Sequence, residues 1–381
     1  MAAPVISEEK KRIMQELQKF LPITSPFAVW ESEDHPVIEV DKNFNRFRVL
    51  PEIEAHYLAG KFYLSDFYYL MAGACYRYST SDAIYLLIEF WRRKEVRDAS
   101  EEKRKQLNIP NPETSISTRM KLLCREGLMV RYDLFPNPAY YKLKNGSDAL
   151  IDIPFFRTTA NGNTVYSASL EKNPVSFNTR IPFYSEAEQM RWLNNSILTA
   201  AFLGLPWVRD VKFSYTVKVD RKSILLMSYL KIQNGSQADY NCHLILESVS
   251  LRTNENIVTV NSRKEEMVSR VTELVTCMQE LEKQTGKPHF LVFNLENLEA
   301  LVLLQKIILS IRGINLEKKI LVTTGTILYA KQIVEKRQFS EMASAFLEFN
   351  GSTFTGANYY FLQEFEAEGN QVATAEKNAE E

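Results

Sequence analysis

Five polar residues lie close enough together in the chain to form one binding surface. They are Ser117, Thr118, Arg119, Lys121 and Arg125. Hydroxyl, ammonium and guanidinium groups donate hydrogen bonds to phosphate oxygens, and arginine also recognises guanine edges in the major groove of DNA. The chemistry predicted here is therefore the binding of duplex DNA. The alternative is a solvated helix face beside a packed pair of strands.

A helix is predicted to carry these side chains. Four apolar residues recur at helical spacing on its other side, namely Ile116, Met120, Leu123 and Cys124. Thr114 or Ser115 can cap the beginning of the helix, because a hydroxyl oxygen accepts from the free N–H groups of the first turn. Gly127 follows where a helix needs a residue that tolerates a positive φ. The polar and apolar residues therefore occupy opposite sides of one short helix.

Two strands are predicted after this helix, at 128–134 and 139–143, joined by a proline-containing turn at 136–138. Arg131, on the first of these strands, is predicted to contact DNA near the wing. Two further helices are predicted before position 114, so that three helices precede the strand pair. This order indicates a winged helix-turn-helix domain with its recognition helix and wing. The same fold also serves as a protein-binding module, so an adaptor function stays open.

The aromatic residues between positions 57 and 78 allow two interpretations. Aromatic rings can stack on single-stranded bases, but they more often form a core. We therefore predict that this cluster is core. It comprises Tyr57, Phe62, Tyr63, Phe67, Tyr68, Tyr69, Tyr76 and Tyr78.

Charge is distributed unevenly along the chain. The formal net charge is only −1, so no global field attracts nucleic acid. Between positions 90 and 131, however, eleven Lys or Arg residues face six acidic residues. A basic segment inside a nearly neutral chain is typical of a DNA-binding domain.

Cysteine and histidine usage predicts neither a metal site nor a cofactor. The four cysteines are widely spaced and lack a CxxC pair, which favours reduced thiols in the cytoplasm. The four histidines also lack metal-ligand spacing. Cys242 and His243 are neighbours on a predicted strand and so would point to opposite faces. Neither a secretory signal nor an apolar run of about 20 residues is found, so no membrane contact is predicted.

A second domain is predicted from position 185 onward. A helix from 185 to 204 precedes three strands at 211–219, 224–232 and 241–251. A helix at 264–283, a strand at 289–295, a helix at 298–311 and a strand at 319–324 follow. The order α-β-β-β-α-β is that of the restriction-endonuclease-like, or PD-(D/E)xK, fold. The predicted fold class is thus a multidomain α+β or α/β protein.

The catalytic pattern of that fold is incomplete in this sequence. The third strand carries Glu247, but Val249 stands where a lysine would be expected. The second strand has no aspartate, and Asp220 in the preceding turn is the nearest one. A single carboxylate cannot build the usual magnesium site. We therefore predict an inactive scaffold in which Glu247 is a remnant or a buried, paired carboxylate.

With both domains placed, the chain resembles the replication-relaxation family of Gram-positive plasmids and integrative elements. The resemblance rests on the segments STRMKLLCREGLMVRY at 117–132, YYKL at 140–143, LILESVSLRTNE at 244–255 and KPHFLVF at 287–293. It covers roughly residues 60–325, although the Asp-Ala pair of the family's second strand is absent. The resemblance implies a winged helix joined to a degenerate endonuclease-like domain, and DNA binding in plasmid replication, mobilisation or regulation.

The sequence thus predicts an accessory segment at 1–50, a winged helix-turn-helix domain at 51–150, a linker at 151–184, an endonuclease-like domain at 185–362 and an acidic tail at 363–381. The predicted function is DNA binding without catalysis, with no cofactor and no metal ion. The predicted partners are double-stranded DNA and, through the second domain, a relaxase, a replication initiator or a second copy of the chain. The alternatives are a protein-binding adaptor and a metal-dependent nuclease with a migrated site that uses Asp220, Asp239 or Glu247.

Overall fold

The computed structural model describes residues 37–40, 59–98, 116–134, 153–172, 186–205, 207–233, 241–249, 257–295, 298–324 and 346–357. These residues contain seven helices and ten strands. They form two compact units, one ending at Gly204 and the other beginning at Leu205. The chain is therefore of mixed α+β class, as predicted. The predicted acidic tail and nearly all of the predicted accessory segment lie outside the described residues.

Among the described residues of the first unit there are five helices. They are α1 (Leu64–Tyr76), α2 (Ser81–Asp98), α3 (Ile116–Arg125), α4 (Ala160–Leu170) and α5 (Glu186–Leu203). The apolar stripe predicted for α3 is confirmed, because Ile116, Met120, Leu123 and Cys124 are all buried. Gly127 has a φ of 71° and Leu128 N donates to Leu123 O at 2.9 Å, so the helix ends in the left-handed turn predicted from the glycine.

The predicted aromatic core is confirmed for the residues that the structure describes, except for one. Buried members are Phe62, Phe67, Tyr68, Tyr69, Tyr76 and Tyr78, whereas Tyr63 is exposed. Tyr57 lies outside the described residues. Tyr78 makes an edge contact with the ring of Tyr132, and Tyr132 stacks on Phe155 at 5.1 Å between centroids. These rings join the connection between α1 and α2 to strands β2 and β3.

The sheet of the first unit differs from the predicted hairpin. Its strands are β1 (Val37–Val40), β2 (Met129–Leu134) and β3 (Ile153–Thr158), paired antiparallel in the order β1-β2-β3. The predicted return strand at 139–143 lies outside the described residues. At residues 131–134, β1 and β3 occupy the two edges of β2.

The segment predicted as a linker at 151–184 contains β3 and α4, which both belong to the first unit. Thr159 connects the two elements. Its hydroxyl group accepts from Gly162 N at 3.1 Å and so caps α4, while its own N–H donates to Leu128 O at 3.0 Å. A reciprocal backbone pair also links Ser79 to Phe156. Residues 153–170 of the predicted linker therefore form a regular strand and helix of the first unit.

The helix predicted to begin the second domain, α5, instead belongs to the first unit, where it packs against α1 and α2. Arg77 lies 4.1 Å above the ring of Trp192, and Arg93 of α2 donates to Leu203 O. The boundary between the units therefore falls between Gly204 and Leu205 rather than at the predicted position 185. Helical periodicity shows that α5 has an apolar side, but not which surface that side covers.

The second unit is built on a seven-stranded mixed sheet. Its elements are β4 (Val208–Val219), β5 (Lys222–Gln233), β6 (Asn241–Val249), α6 (Ile257–Thr285), β7 (His289–Leu295), α7 (Leu298–Ser310), β8 (Ile320–Thr324), β9 (Leu347–Phe349) and β10 (Phe354–Gly356). The sheet order is β10-β9-β8-β7-β6-β5-β4, with parallel pairing only between β6 and β7 and between β7 and β8. The predicted strands from 211 to 324 are all present, and α6 and α7 provide the crossovers that parallel strands need.

Candidate functional site

One side of α3 carries the exposed members of the predicted DNA-binding set. Thr118, Lys121 and Arg125 are exposed, and spacings of three and four residues place them on the same side of the helix. Met120 and Leu123 are buried on the other side. The side chain of Ser117 lies outside the described residues. The helix therefore presents one hydroxyl group and two cations to solvent in a row.

Arg119 belongs to the core of the first unit. Its Nε donates to Asp66 Oδ1 at 2.9 Å, and a second guanidinium nitrogen donates to Asp66 Oδ2. The same guanidinium donates to Lys61 O at 3.0 Å and lies 4.4 Å above the ring of Tyr63. Asp66 is fully buried. This geometry does not support the prediction that Arg119 contacts the duplex, because its donors are directed at α1.

Two further residues shape the charge near the exposed row. Glu126 directly follows Arg125, but it is nearly buried and pairs with Lys61 Nζ at 2.8 Å. Its charge is therefore compensated within the unit. Arg131 is only partly exposed on β2, between Val40 of β1 and Phe156 of β3. Of the predicted cations, Lys121 and Arg125 are the two that the structure shows as exposed.

Glu247, the candidate carboxylate of the second unit, is 1% exposed and forms an ion pair. Arg270 of α6 donates to Glu247 Oε2 from Nε at 3.1 Å and again from a terminal nitrogen, and also donates to Leu225 O. A buried, paired carboxylate was one of the two roles predicted for Glu247, and it is confirmed.

The other nuclease candidates are not brought to Glu247. Asp220 is exposed, with a φ of 51°, in the turn between β4 and β5. Leu246 pairs with Ser228 of β5, and Glu247 is the next residue on β6. Glu247 is therefore about 20 Å along the strand direction from Asp220. Asp239 lies outside the described residues. In the part of the chain that the structure describes, no three His, Cys, Asp or Glu side chains form a group that could hold a metal ion.

A third cluster, formed by Tyr229, His243 and His289, was not predicted from the sequence. His243 Nδ1 lies 3.2 Å from His289 Nε2, and the hydroxyl oxygen of Tyr229 lies 3.1 Å from the same Nε2. The Tyr229 hydroxyl is also hydrogen-bonded to His243 Nδ1. Three neighbouring strands, β5, β6 and β7, supply one side chain each, and their polar atoms meet at one point.

The electrostatics of this cluster favour uncharged side chains. Burial lowers the pKa of His243 to about 4, with further lowering by His289 and by Lys231, Lys212 and Lys287. Burial also lowers the pKa of His289 and raises that of the Tyr229 hydroxyl. Both imidazoles are therefore neutral at pH 7, and the phenol keeps its proton.

Strand pairing brings the two histidines together. His243 pairs directly with His289 across the parallel strands β6 and β7, so both side chains project from the same face of the sheet. The sequence contains both strands, and each histidine lies near the beginning of its strand. The sequence analysis did not predict that β6 pairs with β7. That pairing and its register would have placed the two histidines side by side.

Compared with known proteins, the chain matches no family model, no curated protein and no solved structure. Among the described residues, no helix combines the length and the apolar character needed to cross a membrane.

Proposed function

We propose that the chain is a DNA-binding accessory protein of a mobile genetic element, acting in plasmid replication, mobilisation or regulation without catalysis of its own. The observation that carries the DNA-binding part is the exposed row of Thr118, Lys121 and Arg125 on α3. Cations in a row can neutralise consecutive phosphates, and the hydroxyl can donate to another. The mobile-element part rests on the resemblance to the replication-relaxation family.

The elements around α3 suit this proposal. Three helices, α1 to α3, precede the antiparallel strands β2 and β3, which is the order expected of a winged helix-turn-helix domain. In such domains the last helix enters the major groove. Arg119 has a supporting role here, because its contacts with Asp66 and Lys61 join α3 to α1 and to the residues just before it. The helix can then present Lys121 and Arg125 from a fixed position.

The second unit is proposed as a degenerate endonuclease-like scaffold. Three antiparallel strands, the crossover helix α6 and the parallel strand β7 follow the order expected of that fold. The Glu247 carboxylate already has Arg270 as its partner, which leaves it poorly suited to a metal ion. In this proposal the unit contacts DNA backbone, a relaxase, a replication initiator or a second copy of the chain in the cytoplasm.

The test is binding of the purified chain to duplex fragments of its own genetic element, titrated in salt with and without Mg²⁺. The variant Lys121→Ala/Arg125→Ala should bind more weakly. The slope of log K against log salt should become less steep by about 2, because two phosphate contacts are lost. Arg221→Ala/Lys222→Ala is the matched control, since it removes two exposed cations from the β4–β5 turn.

Each other outcome contradicts part of the proposal. An equal loss in the control variant would show that cations of the second unit contribute as much to binding as those of α3. Mg²⁺-dependent cleavage that is lost in Glu247→Ala would favour the nuclease alternative. No binding at low salt, combined with a stable complex with another protein, would favour the adaptor.

A further inference from the structure

In the cluster of Tyr229, His243 and His289, the two imidazoles have the ligand type and the spacing of a metal site. A tetrahedral zinc ion with Zn–N distances of about 2.0–2.1 Å holds its ligand atoms about 3.3 Å apart. In the cluster, His243 Nδ1 and His289 Nε2 are 3.2 Å apart, and the Tyr229 oxygen is 3.1 Å from His289 Nε2. Two of the three separations therefore match those that a bound ion would impose, whereas the Tyr229 hydroxyl is in direct hydrogen-bond contact with His243 Nδ1 and would have to move away from it.

The hydrogen bond on the far side of His289 sets the state of its ring. Nδ1 lies 2.9 Å from Lys287 O, and a carbonyl oxygen can only accept, so Nδ1 carries the proton. Nε2 is therefore unprotonated, and its lone pair is directed at Tyr229 and His243. A backbone carbonyl that holds the second nitrogen is the usual outer partner of a metal-binding histidine, because it fixes both the tautomer and the ring orientation.

We propose that Tyr229, His243 and His289 bind a divalent transition-metal ion of the zinc type, with the two imidazoles as the main ligands. Imidazole nitrogen suits Zn²⁺, Ni²⁺ and Cu²⁺, whereas Mg²⁺ and Ca²⁺ prefer oxygen ligands. The ion would connect three neighbouring strands of the second unit. This site is separate from Glu247 and does not depend on DNA binding.

The surrounding charges limit how tightly the ion can bind. Lys212, Lys231 and Lys287 act on His243 as positive charges and oppose a cation. Glu282 offsets part of this effect, since its Oε1 accepts from His289 N at 2.9 Å, although it also pairs with Lys319. We therefore expect the metal ion to bind more weakly than at a structural zinc site with four protein ligands. We also expect only one equivalent of metal ion per chain.

The experiment is a titration of the metal-free full chain with Co²⁺, followed by competition with Zn²⁺, in which visible absorption reports nitrogen ligation. The chain has only four histidines, so His35→Ala/His56→Ala is a matched control that keeps the cluster intact. We expect one equivalent in the natural chain and in this control. His243→Ala and His289→Ala should each weaken binding at least about tenfold. Tyr229→Phe should weaken it less, because both nitrogens remain.

The natural chain alone provides a second measurement that does not require any variant to fold. On addition of Zn²⁺, the imidazole ¹⁵N resonances of His243 and His289 should shift, while those of His35 and His56 should not. The absence of saturable binding would overturn the proposal and leave the cluster as a hydrogen-bond network. Binding that is lost in His35→Ala/His56→Ala, or unchanged in both cluster variants, would overturn it as well.

Discussion

Arg119→Ala should lower the free energy of unfolding of the first unit by about 3–5 kcal/mol. The substitution removes the partner of Asp66, a fully buried carboxylate. Breaking a buried ion pair from one side is costly, because the remaining charge has lost its water and gained no replacement. A comparable change on an exposed surface usually alters stability by no more than about 0.5 kcal/mol.

The magnitude follows from the contacts that would be lost. Arg119 donates two hydrogen bonds to Asp66 and one to Lys61 O, and its guanidinium covers the ring of Tyr63. Hydrogen bonds to charged groups contribute about 1.5–3 kcal/mol each. Asp66 would keep one donor, Tyr63 N at 2.7 Å, which limits the loss. We therefore expect a value near the lower end of the range.

The assay is hydrogen exchange of the full chain, which resolves the two units. Amides of α1 and α3 should exchange faster in Arg119→Ala, while those of β6 and β7 should not change. Lys121→Ala is the control, because it truncates an exposed cation on the same helix. In the double variant Asp66→Asn/Arg119→Ala the loss should be smaller than the sum of the single losses, since no buried charge remains.

Two results would refute this reasoning. One is equal exchange in Arg119→Ala and Lys121→Ala, which would mean that Asp66 does not need its partner. The other is a salt slope for DNA binding that falls by about 1 in Arg119→Ala under conditions where the unit stays folded. That result would restore the DNA contact expected from the sequence.

Two further substitutions test the packing of each unit. Arg270→Ala should destabilise the second unit by about 3–5 kcal/mol, because Glu247 would stay buried without its partner. The double variant Arg270→Ala/Glu247→Gln should lose less stability. Urea unfolding, followed by hydrogen exchange of the β6 amides, measures both losses, and equal losses would contradict the argument. Gly162→Ala should lower the free energy of unfolding by at least about 1–3 kcal/mol, because a Cβ there would lie 2.2 Å from Leu128 O. Thermal unfolding measures this loss, with the neighbouring substitution Asn161→Ala as the control. Equal Tm values for the two variants would contradict the close approach.

Much of the local structure could be predicted because it depends on short-range patterns. The apolar stripe of α3, its glycine stop and the apolar run of β7 are each contained within one element, and each is present where expected. The predictions that were wrong concern partners. The partners that the structure shows for β2 are β1 and β3, which were not predicted, because a strand pattern does not specify which segment occupies each edge.

The candidate site residues show the same difference between local patterns, which could be predicted, and long-range partners, which could not. Helical spacing alone placed Thr118, Lys121 and Arg125 on one side of α3. Arg119 was grouped with them because its side chain is polar, and the sequence does not show that Asp66, 53 positions earlier, lies within reach of it. A buried carboxylate attracts the nearest guanidinium strongly, and only the packing of α1 against α3 decides which one that is.

By itself, the sequence of this protein determined the type of most elements, the burial of their apolar sides and the basic character of residues 90–131. Periodicity and composition act over a few residues, so they can be interpreted without knowing the fold. The tertiary structure alone decided that α5 belongs to the first unit, that Glu247 faces Arg270, and that His243 meets His289 across 46 positions. Those contacts depend on strand order, register and helix packing, which are set by the free energy of the whole chain.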